Sequence, residues 1–173
     1  LPSLAELRKA LPRCLALGKT DAMCLTLAAQ ATQVEAAWAL QTGKSPQTLL
    51  QKAIREAILA TKSPEIYPDA WQVLADCYLQ LARHVQATQR SSAIQAGQAA
   101  LAKVFAINPN HAAGRGTEGE LFLLAAESAQ GAKKKEQARA AQRALEASLS
   151  LDPLLASRLK PLQTRTDGLL AAQ

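Results

Sequence analysis

Aromatic residues are scarce in this chain: two tryptophans, two tyrosines and two phenylalanines among 173 residues. Long apolar runs are missing as well, because Gln, Lys, Arg, Asp or Glu interrupts each stretch well short of the roughly 18 residues a membrane span needs. A soluble chain without a spanning helix is therefore expected. Glycine and proline number eight each and follow no short period, which excludes collagen-like and low-complexity chains. Cysteine is sparse too. Cys14, Cys24 and Cys77 form no Cys-x-x-Cys pair, and each reads as a small buried side chain in a reducing compartment. The opening LPSLAELRKALPRCLAL has no charged start followed by an uninterrupted apolar core, so no signal peptide is expected. A cytoplasmic location follows, for a chain that starts without Met and reads as a trimmed protein or an excised domain.

What is abundant is Ala and Leu. Hydrophobic residues make up 49% and charged residues 20%, a balance that opposes disorder and supplies a core without disulfides or metal. Strand signals are weak, whereas apolar residues recur at three and four, as in Trp71, Leu74, Ala75, Tyr78, Leu79 and Ala82. The class is all-α.

An internal repeat organises the chain. Ala31, Ala75 and Gly119 are small residues spaced by 44, and Val34, Tyr78 and Phe122 are bulky ones at the same spacing. Leu27 with Trp71, the series Leu50, Ile94, Ala138, and the series Ala53, Gly97, Ala141 keep the same phase. Pro64, Pro109 and Pro153 close the units, each behind a capping residue in Ser63-Pro64, Asn108-Pro109 and Asp152-Pro153. A second break is expected near Gly43 to Pro46, near Arg90 to Ser92 and near Gly131 to Lys133. Each unit is thus a helix, a turn and a helix, with Leu101 and Leu145 in the interior.

The stretches PDAWQVLADCYLQLARH and AIQAGQAALAKVFAINP, within residues 68 to 109, resemble a tetratricopeptide repeat. Trp71, Leu74, Ala75 and Tyr78 match the first helix of that signature, and Gly97, Leu101, Val104 and Pro109 the second. Gly119, Phe122, Ala141, Leu145 and Pro153 repeat much of it, while Arg115 and Glu118 depart from the apolar pattern. The resemblance spans residues 21 to 153. It implies a right-handed α-solenoid of about three long helix pairs in one domain: a leading helix in 1–20, repeats 21–64, 65–109 and 110–153, and a closing helix in 154–173. VEAAWALQTGKSPQTLLQKA and SLDPLLASRLKPL are similar to the Ala-rich repeat arrays C-terminal to bacterial serine/threonine protein kinase domains, though the kinase's own glycine loop, His-Arg-Asp and Asp-Phe-Gly are missing.

No catalytic, cofactor or metal constellation emerges. Gly114-Arg115-Gly116-Thr117-Glu118-Gly119 spells the dinucleotide fingerprint, but no strand precedes it and Gly119 fills the small-residue position of the repeat. His84 and His111 stand apart from other ligand-type residues and read as turn or helix-end histidines. A Gly-x-Ser-x-Gly elbow and a His-Glu-x-x-His pair are both missing, so a non-enzymatic protein is expected. Trp38, Trp71, Tyr78 and Phe122 read as plugs between stacked helices.

Net charge is +6, which invites a nucleic-acid partner. The repeat resemblance separates the signs, however. First helices would line a concave groove through Glu35, Asp69, Gln72, Asp76, Leu79, Gln80, Glu120, Leu123 and Glu127. Second helices carry Lys52, Arg55, Lys62, Lys103, Lys133, Lys134, Lys135, Arg139 and Arg143. A mainly acidic groove that holds a peptide or protein partner is the expectation, and the kinase-linked resemblance places it in a kinase's regulatory region. The alternative is a basic patch from Lys133 to Arg143 that contacts nucleic acid or another acidic surface.

Overall fold

The structure is a computed structural model and describes residues 4–17, 21–63 and 67–171. Among the described residues it contains α1 (Leu4–Leu17), α2 (Ala22–Gln41), α3 (Gln47–Thr61), α4 (Pro68–His84), α5 (Ala87–Ile107), α6 (Ala112–Ser128), α7 (Gly131–Leu151), a 3-10 turn (Pro153–Leu155) and α8 (Ala156–Ala171), and no strand. The protein is all-α. No described helix is long and apolar enough to cross a membrane.

Local chemistry sets the helix ends. After α2, Thr42 Oγ1 donates to the carbonyls of Trp38 and Ala39, and Gly43 reverses the chain at φ 73°, a left-handed conformation that glycine adopts without strain. The expected break at Arg90–Ser92 lies instead inside α5, and the chain turns at Val85 and Gln86. The reason is local: Val85 is buried, and Arg90 Nε donates to the Ala82 carbonyl at 3.1 Å, satisfying the end of α4 from the first turn of α5. Pro109 does not open α6. His111 caps that helix, its Nδ1 accepting from the Gly114 amide at 3.0 Å, while Asn108 Oδ1 holds the Asn110 amide in a preceding turn. Asp152 caps the 3-10 turn that Pro153 begins, accepting from the Leu154 amide at 3.0 Å. Pro64 lies outside the described residues.

Consecutive helices pair in opposite directions. Ser148 Oγ donates to the Ala112 carbonyl at 2.7 Å, and Gly119 faces Leu145 and Ala141, so α7 runs back along α6. Each helix packs on the next in the chain, and α2, α4, α6 and α8 also touch in series, α2 on α4, α4 on α6 and α6 on α8. The odd-numbered helices have no comparable mutual contact among the described residues. The even-numbered helices therefore share one wall. Leu50, Leu101, Leu121, Leu145 and Leu159 are the largest fully buried side chains, set among alanines that let the helices approach.

The spacing of 44 holds for the second and third units, where the buried positions of α4, such as Ala70, Ala75 and Ala82, recur as Gly114, Gly119 and Ala126 in α6. In α2 the matching small residues are Ala29 and Ala36, which precede Ala75 and Ala82 by 46. Turn length explains the shift. Five residues, 42–46, join α2 to α3, whereas two join α4 to α5 and two join α6 to α7. Trp38, expected as a plug between stacked helices, is accordingly exposed, and so is Val34, a bulky member of the 44-residue series.

The cysteines depart from expectation as well. Cys14 of α1 and Cys24 of α2 form a disulfide, with their Cα atoms 5.7 Å apart. The last turn of α1 and the first turn of α2 lie side by side, which brings the two residues within bonding reach. An all-thiol reading suited to a reducing compartment does not describe this pair. Cys77 is free and fully buried, and burial pushes its thiol far above the ordinary value, which makes it a poor nucleophile.

Candidate functional site

The wall of even-numbered helices holds a cavity of about 380 Å³ lined by Gln33 from α2, Asp76, Leu79, Gln80 and Arg83 from α4, Glu120 from α6, and Arg158 and Leu162 from α8. Helical geometry produces this convergence. Residues 76, 79, 80 and 83 fall on one stripe of α4 at spacings of three, four and seven. Glu120 is the repeat equivalent of Asp76, 44 residues on, and so projects from α6 at the matching height.

Two polar clusters floor the cavity. In the first, Gln72 Nε2 donates to Asp76 Oδ1 at 3.0 Å and to Thr117 Oγ1 at 2.9 Å. The Thr117 hydroxyl in turn donates to Asp76 Oδ1 at 2.7 Å. Gln72 Oε1 is buried without a hydrogen-bond partner among the described residues. In the second cluster, Arg83 Nη2 bonds Glu120 Oε2 and Arg158 Nη2 bonds Glu120 Oε1, the latter at 2.8 Å. Glu120 is 4% exposed, against 39% for Arg83 and 49% for Arg158. The guanidiniums, and not the carboxylate, meet solvent.

Burial raises the Asp76 carboxyl above its ordinary value, and the Glu120 charge adds to the rise. The hydrogen bonds from Thr117 and Gln72 and the charge of Arg158 oppose it without cancelling it. A group whose folded value exceeds its unfolded one binds its proton more tightly in the folded state. Its contribution to stability is fully present below the unfolded value and fades as pH rises through the folded one. Asp76→Asn keeps the shape and an acceptor for Gln72 but cannot titrate. The stability of the native protein relative to this variant should fall as pH rises from about 4 to 7, measured by urea denaturation at a series of pH values. A constant or increasing difference over that range would contradict the burial argument.

Asp76, Leu79, Gln80 and Glu120 thus come together at one cavity. The other residues expected in the groove do not. Gln72 lies beneath it as a buried hydrogen-bond donor, and Leu123 is core, at 2% exposed. Asp69 sits at the start of α4, its Oδ1 3.5 Å from His111 Nε2. Glu127 stands one turn pair beyond Glu120 on α6 and pairs with Arg165 of α8. Glu35 faces away, into a cleft lined by Leu11, Pro12 and Leu15 of α1 and Lys52 and Glu56 of α3. The 46-residue offset is the cause: Glu35 corresponds to Leu81, on the far side of the stripe from Leu79.

A mainly acidic groove is therefore replaced by one in which arginines sit over carboxylates. Arg83 and Arg158, which line the cavity, and Arg165, which answers Glu127, are the candidate-site residues that the sequence pattern does not single out. A signal for two of them exists: Glu120 and Glu127 are seven apart, Arg158 and Arg165 are seven apart, and each Glu precedes its Arg by 38. Two helices laid side by side with matching seven-residue intervals can pair their charges in register.

On α2, Met23, Val34 and Trp38 form an exposed apolar stripe, at 54%, 52% and 59% exposed. Val34 takes the place of the cavity-lining Gln80 in the 46-residue register, so the stripe belongs to the same wall. The Lys44 ammonium stands 5.9 Å from the centre of the Trp38 ring. The basic residues of α7 lie elsewhere: Lys133, Arg139 and Arg143 are exposed, and Arg139 and Arg143 line a shallow cleft with Lys135 and Glu136. Arg115 and Glu118, the exceptions to the apolar pattern, pair at 2.9 Å, and Arg115 stacks 3.9 Å from the centre of the Phe105 ring.

The dinucleotide-like glycines lie within α6 and are packing positions. A Cβ on Gly119 would stand 2.7 Å from Leu145, and one on Gly116 would stand 3.2 Å from Ser148 Oγ and 3.4 Å from Leu159. His111 is a helix cap and His84 lies in the last turn of α4. Among the described residues no group of three or more His, Cys, Asp or Glu is arranged to hold a metal ion. Comparison with protein-family models, with curated proteins and with solved structures finds no match to the chain.

Proposed function

We propose that this chain is a non-enzymatic interaction module, in which three helix pairs stack as a right-handed, tetratricopeptide-like solenoid and a peptide segment docks on the concave side formed by the even-numbered helices. The observation that carries the reading is the stripe of Met23, Val34 and Trp38, each more than half exposed on a wall shared by four helices. Large apolar side chains on one helix face gain nothing from solvent, and Val34 and Trp38, four residues apart, stand as neighbours on that face. The serial contact of alternate helices is the arrangement that leaves such a wall open. A segment with apolar side chains suits the stripe, and its polar flank would lie over the cavity of Arg83 and Arg158. The kinase-associated repeat arrays that the sequence resembles suggest the setting: a regulatory region beside a bacterial protein kinase.

A random 12-residue peptide library displayed on phage, panned against the full chain, tests the reading. Selected peptides should be rich in apolar residues and lose at least about tenfold in affinity on Val34→Ser with Trp38→Ser, as expected for truncating a central aromatic anchor. They should bind unchanged to a chain with Lys133, Lys134 and Lys135 all replaced by Glu. Loss of binding on the lysine replacement instead, or saturable and strongly salt-dependent binding to nucleic acid, would favour the basic face of α7 and overturn the concave-face reading.

A further inference from the structure

We propose that the cavity between α4, α6 and α8 is an oxyanion site, in which Arg83 and Arg158 together hold the phosphate or carboxylate group of a ligand above Glu120. The inference goes beyond the docking surface and stands on the cavity alone, whether or not the α2 stripe binds a protein.

Two like charges converge here on a single counter-ion. Arg83 and Arg158 reach opposite oxygens of the same carboxylate, each through one terminal nitrogen. A guanidinium carries five N–H donors in a fixed fork. The remaining nitrogens of both forks make no hydrogen bond to the described residues, and both side chains are well exposed. Such paired forks match the two oxygens of a carboxylate or phosphate edge, with charge-assisted hydrogen bonds about twice as strong as neutral ones.

The surroundings favour an anion over a cation. Glu120, which would attract a cation, is almost wholly buried beneath the arginines. The second lining carboxyl, Asp76, is pushed by burial toward its neutral form, so it offsets less of the arginine charge than a surface aspartate would. Gln33 and Gln80 line the same space and bring amide donors for the outer oxygens of a ligand. At about 380 Å³ the cavity has room for more than an isolated ion. Glu120 then acts as the intramolecular stand-in for the ligand: it fixes both forks in advance and competes with the incoming oxyanion for them.

The role of Glu120 gives the test its sign. Titrations of the full chain by calorimetry would use inorganic phosphate and succinate as probes, with sodium chloride at matched ionic strength as the control. At least one probe should bind saturably, and which of the two binds more tightly identifies the group the site prefers. Arg158→Gln, with its helical content verified by circular dichroism, should weaken that binding about tenfold. Glu120→Gln keeps the side-chain volume and an acceptor but removes the competing charge, and should tighten it about tenfold. Saturable binding of neither probe would overturn the proposal. Binding that survives Arg158→Gln intact, or that weakens in a folded Glu120→Gln variant, would also overturn it, because the three residues would then be a structural ion-pair cluster and nothing more.

Discussion

Leu145→Ala should lower the unfolding free energy by about 2 to 5 kcal/mol, the range for emptying a fully buried leucine site that collapses only in part. Leu145 has no exposed surface and wedges between α6 and α7 against Gly119. For a domain of this length the loss corresponds to a fall in Tm of roughly 5 to 15 °C. The facing glycine supplies a sharper check. A methyl group added at Gly119 would meet both Cγ and Cδ2 of Leu145 at 2.7 Å, and the Ala141 carbonyl at 3.3 Å. Neither the branch point of a packed leucine nor a backbone oxygen yields easily, so Gly119→Ala alone should cost about 1 to 3 kcal/mol. Combining the two changes puts the new methyl into the space the leucine vacates. The double variant should therefore be at least about 1 kcal/mol more stable than the sum of the single losses implies. Strict additivity in chemical denaturation would mean that α6 and α7 do not meet at these positions.

Glu120→Ala should cost about 2 to 3 kcal/mol. The carboxylate is buried and answers two guanidiniums from different helices, so its removal unpins α8 from α4 and leaves a small void. Removing one member of a fully buried ion pair costs about 3 to 5 kcal/mol; the half-exposed arginines regain water here, which places the effect lower. Glu120→Gln preserves the volume and one acceptor and should cost about half as much. Measured by thermal denaturation, Glu120→Ala should also show a smaller fall in Tm at high salt than at low salt, since salt screens the repulsion between the two orphaned arginines. Equal effects of Ala and Gln would mean that packing plays no part at this position.

Much of the fold was legible in the sequence because small residues mark close approaches between helices. Ala75 with Gly119 and Ala53 with Gly97 and Ala141 are buried contact points, as the repeat phase implied. Leu101 and Leu145 are interior for the same reason. Only the first helix of the first unit, α2, departs from the 44-residue phase, by two residues: small and bulky residues are common enough in an Ala-rich helix to satisfy a wrong offset, and the length of the turn 42–46 alone reveals the shift. The helix break in the middle unit was misplaced because Arg90 and Ser91 look like turn residues, while the actual turn is held by a buried Val85 and by a guanidinium reaching back to Ala82. The candidate site was half legible. Asp76, Leu79, Gln80 and Glu120 fall on it from helical spacing, but its charge could not be read from one repeat, because two of the answering arginines, Arg158 and Arg165, arrive from α8, outside the 44-residue period. The disulfide was missed for a similar reason: ten residues of separation say nothing until a turn folds Cys14 against Cys24.

The pattern in which each helix touches its chain neighbours, and beyond them mainly the helix two places on, has a kinetic consequence. Among the described residues no major pairing joins α1 to α8, so no long loop need close before stabilising contacts form. A low contact order of this kind places folding in the microsecond to millisecond range typical of helical proteins. Growth can start from any one hairpin, and the pair with the best interior, α4 with α5, has most of the main core cluster around it. The chain can then extend in both directions by adding one hairpin at a time. The order of assembly is set by local packing and not by the distance between the termini.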